Sequence, residues 1–232
     1  MRIAANYRHL REEVPDHVTI IVAAKTRSVE DLAEVIDAGA TDIGENYVQE
    51  TEQMRVHLAE RAKVVRWHMI GHLQTNKISK AIEVVDIVQT VDSLEKAAAI
   101  GRRVERARRQ ALSILLEINI GSEFTQAGIR PDAHEPFEPY IEQLVTEMSK
   151  LKHVRLEGLM TMGPRVGDPE SNRPYFRRTR GLFERLARLD LPGVQMRYLS
   201  MGMTNSYQVA IEEGANMIRI GTAIFGPRPC EP

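Results

Sequence analysis

The sequence predicts an α/β fold, a (β/α)8 barrel of the TIM type, and three observations lead there. First, β-branched apolar runs alternate with segments of helical period about eight times along the chain, the mark of parallel strands joined by helical crossovers. Second, the polar and glycine-rich clusters fall just after strands, where such a barrel collects its functional groups. Third, 232 residues is a length at which eight units of this kind form one barrel. Counting units leaves an open, doubly wound sheet as the competing topology.

The elements follow in order. Residues 18–24, VTIIVAA, are continuously apolar and β-branched, as in a strand buried on both faces. Ser28 then precedes Val29-Glu30-Asp31, an N-cap followed by an acidic first turn. Leu32, Val35 and Ile36 keep helical spacing, and Gly39 ends that helix. Strands are expected at 41–44, 64–70, 86–90, 111–120, 154–160, 195–199 and 217–220. Helices are expected at 47–62, 76–84, 93–109 (capped by Ser93), 136–150, 172–189 and 207–213. The helical segment before the first strand looks short, and the helix after Phe225 is missing or very short. The Pro/Gly/Asp stretch 163–174 reads as a surface loop, not a domain boundary.

Composition narrows the function classes. Apolar residues make up 43% of the chain, enough for a sizeable core, and charged residues 27%, an ordinary surface. The formal net charge is −1, so no nucleic-acid partner is expected. The single cysteine, Cys230, rules out an internal disulfide and a thiolate metal cluster. The first residues carry charge without an apolar stretch, unlike a signal peptide, and no apolar run reaches the length of a membrane span. A cytoplasmic protein with no membrane partner is expected.

Chemistry concentrates at the strand ends. Lys25 follows the first strand. An amine there is partly desolvated, which disfavours the ammonium and leaves the neutral nucleophile that a Schiff base needs. A solvated lysine or a barrel-mouth ion pair is the plainer reading. Ser200-Met201-Gly202-Met203-Thr204 follows the seventh strand, and Gly221-Thr222 follows the eighth. Loops after these two strands often bind phosphate in barrels. Arg219 needs a partner if buried: a carboxylate such as Glu117 or Glu157, or a ligand. Asn46 suits a helix cap or a ligand contact. His68 and His72 are four apart, but Gly71 breaks any helix between them, so they read as satisfied structural histidines before a zinc pair. Trp67 and Tyr47 read as packing residues.

These clusters, in this order, resemble the pyridoxal phosphate (PLP) homeostasis protein family. The matching runs are Ala24-Lys25-Thr26, the run from Gly44 to Glu50, the run from Trp67 to Lys77, Gly158-Leu159-Met160, Leu199 to Met203, and Ile218 to Gly226. The resemblance implies a barrel similar to the N-terminal domain of alanine racemase (PLP fold type III), with residues 1–232 as a single PLP-binding domain. It implies that Lys25 carries PLP as a Schiff base, that Ser200, Gly202, Gly221 and Thr222 hold the phosphate, that Asn46 lies near the ring, and that Arg219 faces the pyridine nitrogen. An arginine there leaves that nitrogen unprotonated and weakens the ring as an electron sink. The chain departs from the family pattern at Gln126, where a lysine is common, and at Ser206 and Gln208, where acidic residues are common. Losing the lysine puts a second lysine contact in question; losing the acids makes the loop less repulsive to phosphate.

The expected function is therefore a non-catalytic PLP carrier and regulator of PLP homeostasis. A monomer is expected, with PLP-dependent apo-enzymes as recipients. The alternative is a PLP-dependent amino-acid racemase, which needs acid/base groups on both faces of the substrate Cα. An aldolase-type barrel using Lys25 is a third class.

Overall fold

The computed structural model describes residues 2–164 and 167–227. Eight parallel strands close into a barrel in sequence order: β1 (Thr19–Ala23), β2 (Asp42–Glu45), β3 (Arg66–Met69), β4 (Ile87–Val91), β5 (Leu112–Glu117), β6 (Val154–Met160), β7 (Val194–Ser200) and β8 (Met217–Ile220). The closed barrel, and not the open sheet, is the topology. β1 closes it by pairing with β8, Ile21 opposite Arg219. No helix among the described residues is long and apolar enough to cross a membrane.

The strands show why a continuous apolar run was required. In β1, Ile20 and Val22 point outward into the core between sheet and helices, while Ile21 points inward. Inside the barrel it meets Ile87, Leu115, Met160, Tyr198 and Met217, each from a different strand. Both faces of β1 are buried against apolar side chains, so the run stays apolar along its length.

The helices are α1 (Arg2–Glu13), α2 (Val29–Asp37), α3 (Val48–Leu58), α4 (Ile78–Val84), α5 (Leu94–Arg106), α6 (Phe137–Met148), α7 (Arg173–Ala187), α8 (Tyr207–Glu212) and α9 (Thr222–Phe225). Ser28 caps α2 in a capping box with Asp31, and the Ser93 hydroxyl caps α5. Asn46 is not a cap: Tyr47 holds that position without a side-chain bond. The helix expected over 47–62 stops at Leu58, because Ala59 takes φ +49° and the chain continues as a tight turn. The strand expected to reach residue 120 stops at Glu117. There Ile118 bridges to Ile129, and Asn119 ties the following loop through the backbone of Glu123 and Gln126.

The ring of helices is completed from the wrong end of the chain. α9 is only four residues long. The N-terminal helix α1 packs against both α9 and α2, buries Tyr7 and Leu10, and accepts the place an eighth crossover helix would fill. Asn6 Nδ2 donates to Ile224 O at 2.8 Å, fastening one end of the chain to the other.

Candidate cofactor site at the C-terminal mouth of the barrel

A cavity of about 570 Å³ opens at the C-terminal ends of the strands. Lys25, Asn46, Arg219, Gly221 and Thr222 line it, so five of the seven residues singled out in the sequence come together. Arg27, Met162, Thr204 and Asn205 also line it and were missed as individual candidates. Their signal was position alone: each lies within a few residues of a strand-end cluster.

Lys25 is half-buried just beyond β1. Its ammonium lies 5.5 Å from the centroid of the Tyr47 ring, which makes Tyr47 more than a packing residue, and it has no hydrogen bond or ion pair among the described residues. The turn after it is sharp, with Thr26 at φ +63°, a conformation that costs a non-glycine residue energy and clusters at functional sites. Gly221 forms part of the wall. A Cβ there would stand 3.2 Å from Ala23 O, so only glycine leaves that space open.

Ser200 and Gly202 do not line the cavity. Gly202, at φ +92°, lies against α8, where a Cβ would meet that of Ala210 at 2.6 Å. Its carbonyl accepts from Arg219 N and helps close β7 onto β8. Ser200 is fully buried and belongs to a polar chain that threads the barrel. Arg219 Nη1 donates to Ser200 Oγ at 2.7 Å, and Ser200 Oγ donates to Gln89 Oε1 at 2.7 Å. Gln89 Nε2 lies 3.0 Å from His68 Nδ1, and His68 Nε2 lies 2.8 Å from Asp42 Oδ1. Arg66 Nε closes the far end, 2.8 Å from the same Asp42 oxygen.

The Gln89 amide sets the protons of this chain, its oxygen toward Ser200 and its nitrogen toward His68. Gln89 must donate to Nδ1, so His68 is neutral and donates from Nε2. Burial pushes the His68 pKa down, opposed by the Asp42 hydrogen bond, which agrees with the neutral form. Burial alone would raise the Asp42 carboxyl; the hydrogen bonds from His68 and Thr41 and the charge of Arg66 outweigh it and hold it below the ordinary range. His68 is thus the satisfied structural histidine the sequence suggested.

Arg219 is a buried cation without a carboxylate in ion-pair reach among the described residues. Its second amino group donates to Thr161 O at 2.8 Å. Burial lowers its pKa to about 10, partly opposed by Glu117, so it stays charged at neutral pH. Glu117 is pushed up to about 7 by burial and then by Asp92, with Lys96 and Arg219 opposing. Glu157 is no partner for Arg219; it pairs with Arg155 at 3.1 Å. The second unusual acid was not singled out in the sequence. Glu45 is fully buried, neither oxygen has a hydrogen bond among the described residues, and burial followed by Glu50 raises its pKa to about 8. Of the departing positions, Gln126 bridges two mouth loops by donating to Gly163 O at 3.1 Å and to Glu123, and the Ser206 hydroxyl accepts from Met203 N at 3.3 Å.

The barrel, with its lysine just beyond the first strand, is of the alanine-racemase class, as the family match shows. The sequence model of the family described as "Alanine racemase, N-terminal domain" matches residues 1–229. An alanine racemase of Clostridium difficile shares the fold at TM-score 0.77 and 17% identity, covering 99% of this chain and 58% of that one. The pyridoxal phosphate homeostasis protein of Pasteurella multocida is 36% identical over 91% of this chain and 87% of its own. That of Escherichia coli K12 is 33% identical over 97% of each. The chain belongs to the pyridoxal phosphate homeostasis protein family. The structure of PipY from Synechococcus elongatus with PLP bound matches at TM-score 0.86 and 28% identity, covering 97% of this chain and all of that one.

Proposed function

We propose that this protein binds PLP in the Lys25 cavity and acts in PLP homeostasis as a carrier without catalysis. The observation that carries the reading is the convergence of an unpaired half-buried amine, a buried unpaired cation and a glycine-walled recess in one cavity. PLP supplies an aldehyde that condenses with an amine, a phosphate dianion and a ring nitrogen. The residues fit each part: Lys25 for the aldehyde, the backbone at Gly221 and Thr222 for the phosphate, Arg219 for the ring nitrogen and Asn46 for the ring edge. Ser200 and Gly202 serve the site indirectly, Ser200 by orienting Arg219 at the ring-nitrogen end and Gly202 by seating α8 against the loop at the phosphate end.

Two features favour carriage over racemisation. Arg219 stays a guanidinium at neutral pH, with two of its five N–H groups engaged by Ser200 and Thr161, so it can donate a hydrogen bond to the ring nitrogen without giving up its proton. Among the described cavity residues, Lys25 is also the one amine, and the other two basic groups, Arg27 and Arg219, are guanidiniums, so no second general base faces it. The reading makes the protein a cytoplasmic monomer that passes PLP to apo-enzymes.

The test is a visible absorbance titration with PLP, borohydride reduction and peptide mass mapping. A saturable band and a pyridoxyl group on Lys25 support the site. No band, or label confined to other lysines, removes it. Amino-acid α-proton exchange in deuterated water separates the two roles: robust exchange that disappears in Lys25→Ala would establish an enzyme.

A further inference from the structure

A second concavity, of about 480 Å³, opens at the opposite, N-terminal mouth of the barrel. Arg66, Arg109, Arg155 and Arg197 surround it, from the start of β3, the loop before β5, the start of β6 and the middle of β7 in turn. Against these four guanidinium groups stand two carboxylates, Asp86 and Glu157. Both are already engaged: Asp86 accepts from Trp67 N at 2.8 Å, and Glu157 pairs with Arg155. Arg66 is held by the buried Asp42. Arg109 and Arg197 have no carboxylate in ion-pair reach among the described residues; Arg197 lies over the Tyr198 ring at 5.0 Å.

The N-terminal face of a barrel ordinarily serves stability. A surface shaped for stability alone intersperses its charges, because like charges around a recess of low dielectric repel. Here the chain as a whole has a net charge of −1, yet residues 102–109, leading into this mouth, read RRVERARR. The excess is local and concave, which focuses a positive potential on the recess. Its volume is that of a small-molecule site, not of a nucleic-acid track. Guanidinium forks match the oxygens of phosphate in pairs.

We propose that the N-terminal mouth is a second ligand site, for a small phosphorylated molecule gripped by Arg109 and Arg197, with Arg66 and Arg155 beneath it. The site is independent of the cofactor cavity, from which the barrel interior separates it. The test uses the full chain and its Lys25→Ala variant, titrated with pyrophosphate by calorimetry at low ionic strength. Saturable binding is expected in both, weakened about tenfold or more in Arg109→Gln/Arg197→Gln, a loss of at least about 1.4 kcal/mol. Because both arginines are exposed and unpaired, the double variant should match the parent in melting temperature and in PLP titration. Absence of saturable binding at millimolar pyrophosphate overturns the proposal, as does binding that survives the double substitution. Binding lost in Lys25→Ala would assign the pyrophosphate to the cofactor cavity and overturn it equally. As Lys25→Ala is titrated alongside, the result reads the same whether or not PLP occupies the other mouth.

Discussion

Replacing Ser200 with alanine separates two roles for one hydroxyl. In the structure that hydroxyl accepts from Arg219 and donates to Gln89, and all three residues are buried. Ser200→Ala breaks a hydrogen bond to a charge and one between neutral groups. A buried charged bond contributes about 1.5–3 kcal/mol and a neutral one about 1. The expected loss is about 3 kcal/mol, about 6–12 °C in melting temperature for a chain of this size. The assay is urea and thermal unfolding of the protein with and without saturating PLP, beside a PLP absorbance titration. If Ser200 works through Arg219, the PLP-free protein itself is destabilised. Stability of the PLP-free protein within about 0.5 kcal/mol of the parent, with PLP affinity reduced tenfold, would refute the relay and place the hydroxyl on the phosphate.

Four other outcomes follow from the same geometry. Lys25→Ala should abolish the visible PLP band while changing stability by less than about 1 kcal/mol, since the amine has only the Tyr47 contact to lose; a large drop in melting temperature would contradict this. Gly221→Val should weaken PLP binding about tenfold or more by crowding the recess beside Ala23, read by titration; since its Cβ would press on the Ala23 carbonyl, a modest fall in melting temperature accompanies it, and unchanged affinity would contradict the recess. Glu45, raised from 4.5 to about 8 in the fold, gives stability that is full below about 4.5 and is lost as pH rises through about 8. Glu45→Gln should therefore stabilise the protein at pH 9 by on the order of 3 kcal/mol and change it little at pH 5, and equal effects at both would refute the buried-acid assignment. Leu10→Ala, in the helix that substitutes for an eighth crossover, should cost about 2–4 kcal/mol in denaturant unfolding; a surface-like effect under 0.5 would mean α1 is dispensable.

The barrel was legible because its signals are local. VTIIVAA, the capped helices and the strand-end clusters each declare themselves within a few residues. The chemistry of the cofactor mouth was legible for the same reason: Lys25, Asn46, Arg219 and Gly221 each stand at or just past the end of a strand. The polar chain through the interior was not, because Ser200 meets Gln89 across 111 positions and His68 meets Asp42 across 26. Only closure of the barrel brings them together. Thus Ser200, two residues before a glycine at the end of a strand, reads as a phosphate ligand from its neighbours, while in the structure its hydroxyl faces inward to Arg219 and Gln89. The burial of Glu45 was hidden likewise, since it stands between Gly44 and Asn46, in a stretch that reads as the polar end of a strand. The role of α1 required knowing that α9 would be too short to cover β8 and β1.

Lys25 and the Arg219–Thr222 segment lie at the ends of the first and last strands, the pair whose joining shuts the barrel. A molecule gripped by both is a clasp on that joint. A nascent chain still lacking β8 can present the lysine but not the recess, so the complete grip exists only once synthesis is finished. In the finished protein, each tenfold of free ligand above its dissociation constant tightens the joint by about 1.4 kcal/mol. The reverse also holds: a local parting of β1 from β8 lets the ligand go without unfolding the remaining strands. Under the proposed carrier role, the closing edge of the barrel is where capture and release of the aldehyde meet.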